Sequence, residues 1–410
     1  MIDALIPPPD VLIIGAGPAG SACARLLAQA GVDVLLVDQH APGRDKTCGD
    51  GLIPDAHQAL ARLGLLDTVV QRAQHVAHVG CIGPGGGRVD VPGRLAVLPR
   101  KQLDALLLQA ARDAGARFEQ ARFEAPLEEA GRVVGARLKR GDDLLEVRTP
   151  WVVLATGAVP KALSAAGMCE RHTPSGVALR GYVKAPQMVG KIQALEVVWD
   201  KALRPGYGWI FPAPDGHFNI GVGVTNSHED RDGKGQKKDA NLRAIFDAFV
   251  AKYPPAAELM RVGEKQGEGE QWLKGAPLRF TLEGARWTRP GLLVTGEAAG
   301  STYSFTGEGI GKAMETGMLA ADALLAHRHE ADGDAAVRAR YEAGLAALKP
   351  KFKLYEAANR VNAHPWLADL VIWRARKSER VLRRLSGVLN ETSNPGNIVS
   401  LKGIMRLFLD

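Results

Sequence analysis

The stretch 11–20, VLIIGAGPAG, constrains this chain more than any other, and it is read together with Asp38. Four apolar residues, mostly β-branched, predict a buried strand. They run straight into Gly15-Ala16-Gly17-Pro18-Ala19-Gly20 and then into a helical pattern, SACARLLAQAG. A second apolar run, DVLLV, ends on Asp38, with Gln39 beside it. Strand, glycine turn, helix and acid-tipped strand within about thirty residues form a dinucleotide-binding βαβ unit. Gly15 permits the tight turn, Gly17 lets the backbone approach a pyrophosphate, and Gly20 lets helix and strand pack closely. Pro18 and Ala19 open the helix, whose free N–H groups and positive dipole end suit phosphate. Asp38 stands where a carboxylate accepts hydrogen bonds from an adenosine ribose. The competing reading is a βαβ unit that needs the glycines only for its turns.

A chain of 410 residues exceeds one compact core and predicts two domains, or one with a large insertion. Apolar content of 46% and charged content of 24% place it among ordinary soluble proteins. No run of about 18 apolar residues predicts a membrane span, and MIDALIPPPD lacks a secretory pattern. Four scattered cysteines without a CxxC pair argue against a metal centre and a disulfide scaffold, and predict a cytoplasmic protein. The net charge of +7 is concentrated: the segment 349–384 holds ten Lys or Arg against three acids. That segment reads either as a solvated helical face or as a surface for anionic lipid or an acidic protein partner. In the second case the protein sits at the inner face of the membrane. No recognition module or aromatic platform points to nucleic acid.

Further along, the glycine-punctuated KTCGDGL precedes helical spacing in PDAHQALARLGLL. The segment 75–95 predicts a hairpin whose Gly83–Gly87 run is a turn, not a second phosphate loop. LPRKQLDALLLQAARDAG predicts an amphipathic helix. Arg100 at its start opposes the helix dipole, so either a ligand compensates it or it reaches a surface acid. A second hairpin is expected over 132–148. TPWVVLATGAVP then forms a strand ending on small residues, with Thr156 and Gly157 at the sheet edge where α/β folds bind ligands. Segments within 165–285 alternate like antiparallel strands and predict an inserted sheet domain, with GKGQKK (233–238) as a polar loop. PGLLVTG then returns the chain to the first domain and leads to Glu297, TGEGIG (306–311) and a long helix.

Three of these stretches, in this order, resemble the FAD-dependent oxidoreductases of the p-hydroxybenzoate hydroxylase type, and most of all the geranylgeranyl reductase family. The resemblance spans nearly the whole chain. It implies an α/β fold: a glutathione-reductase-like, Rossmann-like FAD-binding domain (1–165 and 286–340, with the 75–95 hairpin in it), an inserted antiparallel-sheet substrate domain (166–285) and a helical C-terminal region (341–410). GAGPAG with Asp38 resembles the first FAD motif, and LLVTGEAAGSTYSFTGEGI the second. There Glu297, an aspartate in the family, would bond the ribityl or phosphate region, and Gly307, Gly309, Ile310 and Gly311 would abut the flavin. Lys46, Cys48 and Gly49 fall in a loop similar to the reductases' cysteine-glycine loop beside the isoalloxazine. Arg100 matches a family arginine that contacts FAD. PGYGWIFP resembles the substrate-cavity motif YxWxFP and puts Tyr207, Trp209 and Phe211 in the pocket, where aromatic rings suit a greasy substrate. Thr156-Gly157 stands where many relatives carry Asp-Gly, a pair associated with NADPH handling.

The resulting expectation is an FAD-dependent reductase of a C=C bond in an apolar, polyprenyl- or polyene-like substrate, fed by NAD(P)H or a reduced protein carrier. Cys48 is the candidate catalytic residue, as proton donor or as packing. Two alternatives stay open: an oxygen-using flavin monooxygenase acting on an aromatic or carrier-bound substrate, and a flavoprotein whose main task is to bind a partner.

Overall fold

The computed structural model describes residues 7–225, 241–267, 269–330 and 332–398. The polar loop expected at 233–238, and the last twelve residues of the C-terminal region, lie outside the described residues. The strand Val11–Ile14 is fully buried, as an all-apolar run flanked by two parallel partners must be. It lies between Val34–Asp38 and Trp151–Leu154, in register Val11 with Val34 and Val11 with Trp151. Arg117–Gln120 and Leu292–Val294 extend the parallel sheet on either side, and Thr288–Arg289 closes one edge antiparallel.

Two helices cover this sheet where the phosphate loop emerges. Pro18–Gln29 starts with proline at its first turn, where the missing N–H costs nothing. It packs on Ile310–His327 so closely that a Cβ on Gly317 would stand 2.1 Å from the Ala19 carbonyl oxygen. Neither helix has a side-chain N-cap, so the N–H groups of both first turns remain for another partner.

The second sheet has nine strands and takes in more of the chain than the inserted segment. The hairpin Gln74–Ile82 and Arg88–Val97, assigned from sequence to the FAD-binding domain, joins the inserted sheet instead. Leu195–Val198 runs beside it, Leu195 against Val79, in a parallel pairing. Within the inserted segment the described strands pair antiparallel, and the parallel pairing is the one that joins it to the hairpin. The hairpin's periodicity could not reveal this, because alternation fixes which face is buried but not which sheet does the burying. Gly176–Lys184, His217–Thr225 and Gly206–Ala213 are antiparallel neighbours, as expected. Two helices within this segment, Leu242–Lys252 and Pro254–Val262, cover its outer face. The expected 132–148 hairpin is part of a three-stranded sheet with Arg122–Glu129.

The C-terminal helices do not hang free. Trp366–Ala375 and Glu379–Leu389 lie over the 74–97 hairpin, and Ser386 donates to the Pro92 carbonyl at 2.8 Å. The indole N–H of Trp199 donates to Asn362 at 2.8 Å and ties the short helix Arg360–Ala363, just before them, to the inserted sheet. Among the described residues no helix is long and apolar enough to cross a membrane.

Candidate functional site

Both uncapped helix starts open on one cavity of about 1000 Å³ that runs between the two sheets and under the C-terminal helices. Of the residues singled out from sequence, Gly15, Gly17, Pro18, Ala19, Asp38, Gln39, Lys46, Cys48, Gly49 and Arg100 line it. So do Thr156, Gly157, Tyr207, Trp209, Phe211, Glu297, Gly307, Gly309 and Ile310. Gly20 and Gly311 do not. A Cβ on Gly20 would stand 1.8 Å from the Gly15 carbonyl oxygen, and one on Gly311 2.3 Å from Asp55 Oδ2. Both act by close approach of backbone to its neighbours.

One end of the cavity is a polar cradle. Gly15 has a φ of 109° and no room for a side chain, since its Cβ would meet the Ala155 carbonyl oxygen at 2.3 Å. Gly17 differs: a Cβ there meets nothing nearer than Arg100 Nη2 at 3.9 Å, so its bareness opens space rather than relieving a clash. Asp38 accepts from the Ala16 N–H and the His40 N–H, both at 2.9 Å, which fixes its carboxylate at the strand tip. Lys46 and Glu297, 251 residues apart in the chain, approach to 3.7 Å. The Thr156 hydroxyl oxygen is buried on the cavity wall without a partner in the protein. Two uncapped helix mouths, a bare glycine approach, an acid at the strand tip and an unpaired hydroxyl fit an FAD molecule.

Arg100 is not the exposed residue that its conflict with the helix dipole allowed. It is buried, and its guanidinium grips Asp104 through Nε at 2.6 Å and Nη2 at 2.7 Å. Burial works against its charge, but Asp104 outweighs that and raises its pKa further. The ion pair holds the guanidinium beside Gly17, at the cradle.

Where cradle and aromatic wall meet, the structure holds a buried network that sequence reasoning missed. Asp50 sits between two glycines with a φ of 64°. Its carboxylate accepts from Tyr182, from Asn219 Nδ2 at 2.7 Å and from the Arg100 N–H at 3.2 Å. Asn219 also donates to the Cys48 carbonyl at 2.7 Å and accepts from the Trp209 indole at 2.8 Å. Burial pushes Asp50 up to about 6 despite these donors. Burial likewise raises the Cys48 thiol, with Arg100 pulling the other way, so Cys48 carries its proton at neutral pH. Arg180, wholly buried, stacks over Tyr182 and binds Asp45 and the Lys46 carbonyl, each at 2.7 Å. The only advance signal was an aspartate flanked by glycines, which marks a backbone demand but not a partner.

The other end is apolar. Tyr207, Trp209 and Phe211 alternate on one face of their strand, with neighbouring ring centroids 6.3 and 6.4 Å apart. Trp199 and Phe305, not singled out from sequence, extend the row: Trp199 lies 6.1 Å from Tyr207 and stacks on Phe305 at 6.4 Å. The Tyr207 hydroxyl donates to the Thr306 carbonyl at 2.5 Å, which joins the aromatic strand to the mouth of Ile310–His327. Beyond the rings the walls are aliphatic, formed by Val79, Val91 and Val197 below and by Val361, Ile372 and Leu385 above. Glu308 lies on the wall between the two ends; burial, with Asp55 and Glu391 adding repulsion, raises it well above the carboxylate range.

The family described as FAD binding domain matches residues 9–258. Menaquinone reductase of Mycobacterium tuberculosis is 32% identical over 336 residues, 77% of this chain and 76% of its own. Digeranylgeranylglycerophospholipid reductase 2 of Methanopyrus kandleri is 29% identical, over 81% of each chain. Among solved structures, a geranylgeranyl bacteriochlorophyll reductase-like protein of Thermoplasma acidophilum superposes with a TM-score of 0.72 at 22% identity, over 98% of this chain and 96% of that one.

Proposed function

The chain belongs to the FAD-binding-domain family of FAD-dependent oxidoreductases, and on that premise we propose that it saturates C=C bonds of an isoprenoid chain carried on a lipid or quinone. The observation that carries this reading is the continuity of the polar cradle with an aliphatic arm through a row of aromatic rings. A polar aromatic substrate would leave the arm's valines and leucines unused, whereas a polyprenyl chain matches their chemistry. The relatives named for menaquinone and digeranylgeranyl lipids share this substrate property.

FAD, when bound, supplies the hydride; the remaining work falls to the chain. The glycines and helix mouths at Gly15–Ala19 and Gly309–Ile310 would hold its phosphates and ring edge, with Asp38 at the ribose and Lys46, Glu297 and Arg100 fixing the cradle's charge. Trp209, locked by Asn219, and Tyr207, locked by Thr306, would orient the double bond and exclude water. Cys48 holds a thiol proton at Sγ beside them and is the candidate donor to the second carbon. Asp50 positions the Cys48 loop through Asn219.

The electrons come from NAD(P)H or from a reduced carrier protein; consumption of NADH or NADPH by the purified enzyme with substrate separates the two. The protein works in the cytoplasm, at the inner membrane face when its substrate is membrane-borne. Reduced enzyme mixed without oxygen with a polyprenyl lipid that carries no quinone ring should regain its oxidised flavin spectrum and yield a product two hydrogens heavier in its prenyl chain. Reoxidation only with oxygen, and a product one oxygen heavier, would replace this reading with a monooxygenase.

A further inference from the structure

We propose that the outer face of helices Trp366–Ala375 and Glu379–Leu389 docks the protein on an anionic lipid bilayer, with Trp366 and Trp373 as interfacial anchors. The proposal rests on the aliphatic arm being an isoprenoid site, and it specifies from where that site is loaded.

The two indoles are 56% and 44% exposed and stand one heptad apart, hence on one side of the helix. Tryptophan, with an apolar body and one N–H, concentrates where water meets lipid. The opposite side of the same helices is cavity wall: Val371, Ile372, Leu385 and Leu389 line the aliphatic arm. One thin layer thus separates the exposed indoles from the arm.

The charge follows the same division. The sequence spread its basic excess over 349–384, but the structure splits that segment. Lys349 and Lys353 face Glu283, and Lys351 binds Glu391 at 2.7 Å, so the first part is engaged within the protein. The two docking helices and their connection carry six Arg or Lys against two acids. One of those acids, Asp369, is turned inward and accepts from the Gly85 N–H at 2.9 Å. Arg376, Lys377 and Arg383 are exposed, and Lys377 lies 4.8 Å over the Trp373 ring. Basic and aromatic groups therefore share one patch, the pairing that binds anionic headgroups and interfacial acyl chains together. An isoprenoid substrate is itself dissolved in lipid, so a bilayer fits this surface better than a soluble protein does.

The test uses the full-length FAD-loaded protein and vesicles of phosphatidylcholine, with and without phosphatidylglycerol. Co-sedimentation is expected with the anionic vesicles at low salt and should fall at least tenfold at high salt. Tryptophan emission should be quenched by lipids brominated in the acyl chain. The W366A/W373A variant should lose most of that quenching and about tenfold in vesicle affinity. Its FAD content, melting temperature and turnover of a short, detergent-soluble prenyl substrate should match the parent. Failure to sediment with anionic vesicles at low salt, or quenching that survives in the variant, overturns the proposal. So does sedimentation that appears only when a second protein is added. If the chain binds vesicles but reduces no prenyl substrate, the docking stands and the substrate reading fails, so the two are told apart.

Discussion

At the scale of single residues, the site turns on buried groups whose protons are set by their surroundings. Asp50 is lifted by burial from 3.8 to about 6. Its folded pKa lies above the unfolded one, so the folded chain binds the extra proton between about pH 4 and 6. The stabilisation from that proton is complete below this window and is lost as pH rises through it. The melting temperature of the parent relative to D50N should accordingly fall between pH 4 and 7. A difference that does not change with pH would contradict the assignment. Cys48, raised by burial and carrying its proton, is expected to act as acid: C48S should keep its flavin and lose turnover by about 100-fold. Unchanged turnover in C48S would reduce Cys48 to packing. These two residues also mark what sequence could disclose. Cys48 was legible because glycines punctuate its loop. Asp50, two positions on, was not, because its partners Tyr182 and Asn219 lie 132 and 169 residues away and only folding brings them together.

At the scale of elements, the phosphate loop separates glycines that the fold needs from one that the ligand needs. Gly15 has a positive φ and a backbone oxygen in the place of any side chain, so G15V should fail to fold stably. Gly17 has ordinary φ and open space, so G17V should fold with a melting temperature near that of the flavin-free parent yet bind no FAD. Circular dichroism and released-flavin fluorescence check both; a G17V protein that retains FAD would refute the cradle. The strand–turn–helix at 11–29 and the alternating Tyr207, Trp209 and Phe211 were readable because each is local: a fixed spacing implies a fixed face. The sheet that the hairpin 74–97 joins was not readable, for the opposite reason. Its residues encode two strands and a turn, but Val79 pairs with Leu195, a choice made between segments and not within one.

At the scale of the whole molecule, the cavity is built by three parts of the chain at once. The Rossmann sheet supplies the cradle, the inserted sheet the aromatic row, and the C-terminal helices the roof of the aliphatic arm. The sequence showed the first two and left the third as a charged helical tail, because a roof is defined by what it covers. If the arm receives the isoprenoid, V371W should narrow it: turnover of long-chain substrates should drop at least tenfold, with flavin content and short-chain turnover kept. Equal loss for long and short chains would mean that Val371 serves folding alone.

The central claim is that cradle and arm are one site in which a flavin and a prenyl chain meet. It is tested most directly by titrating the FAD-loaded protein with a saturated, redox-inert isoprenoid while recording the flavin absorption band. The account predicts a saturable shift of that band, reaching its end point at one chain per protein and weakened in V371W. Isoprenoid binding that is measurable by calorimetry but leaves the flavin band unmoved would contradict it.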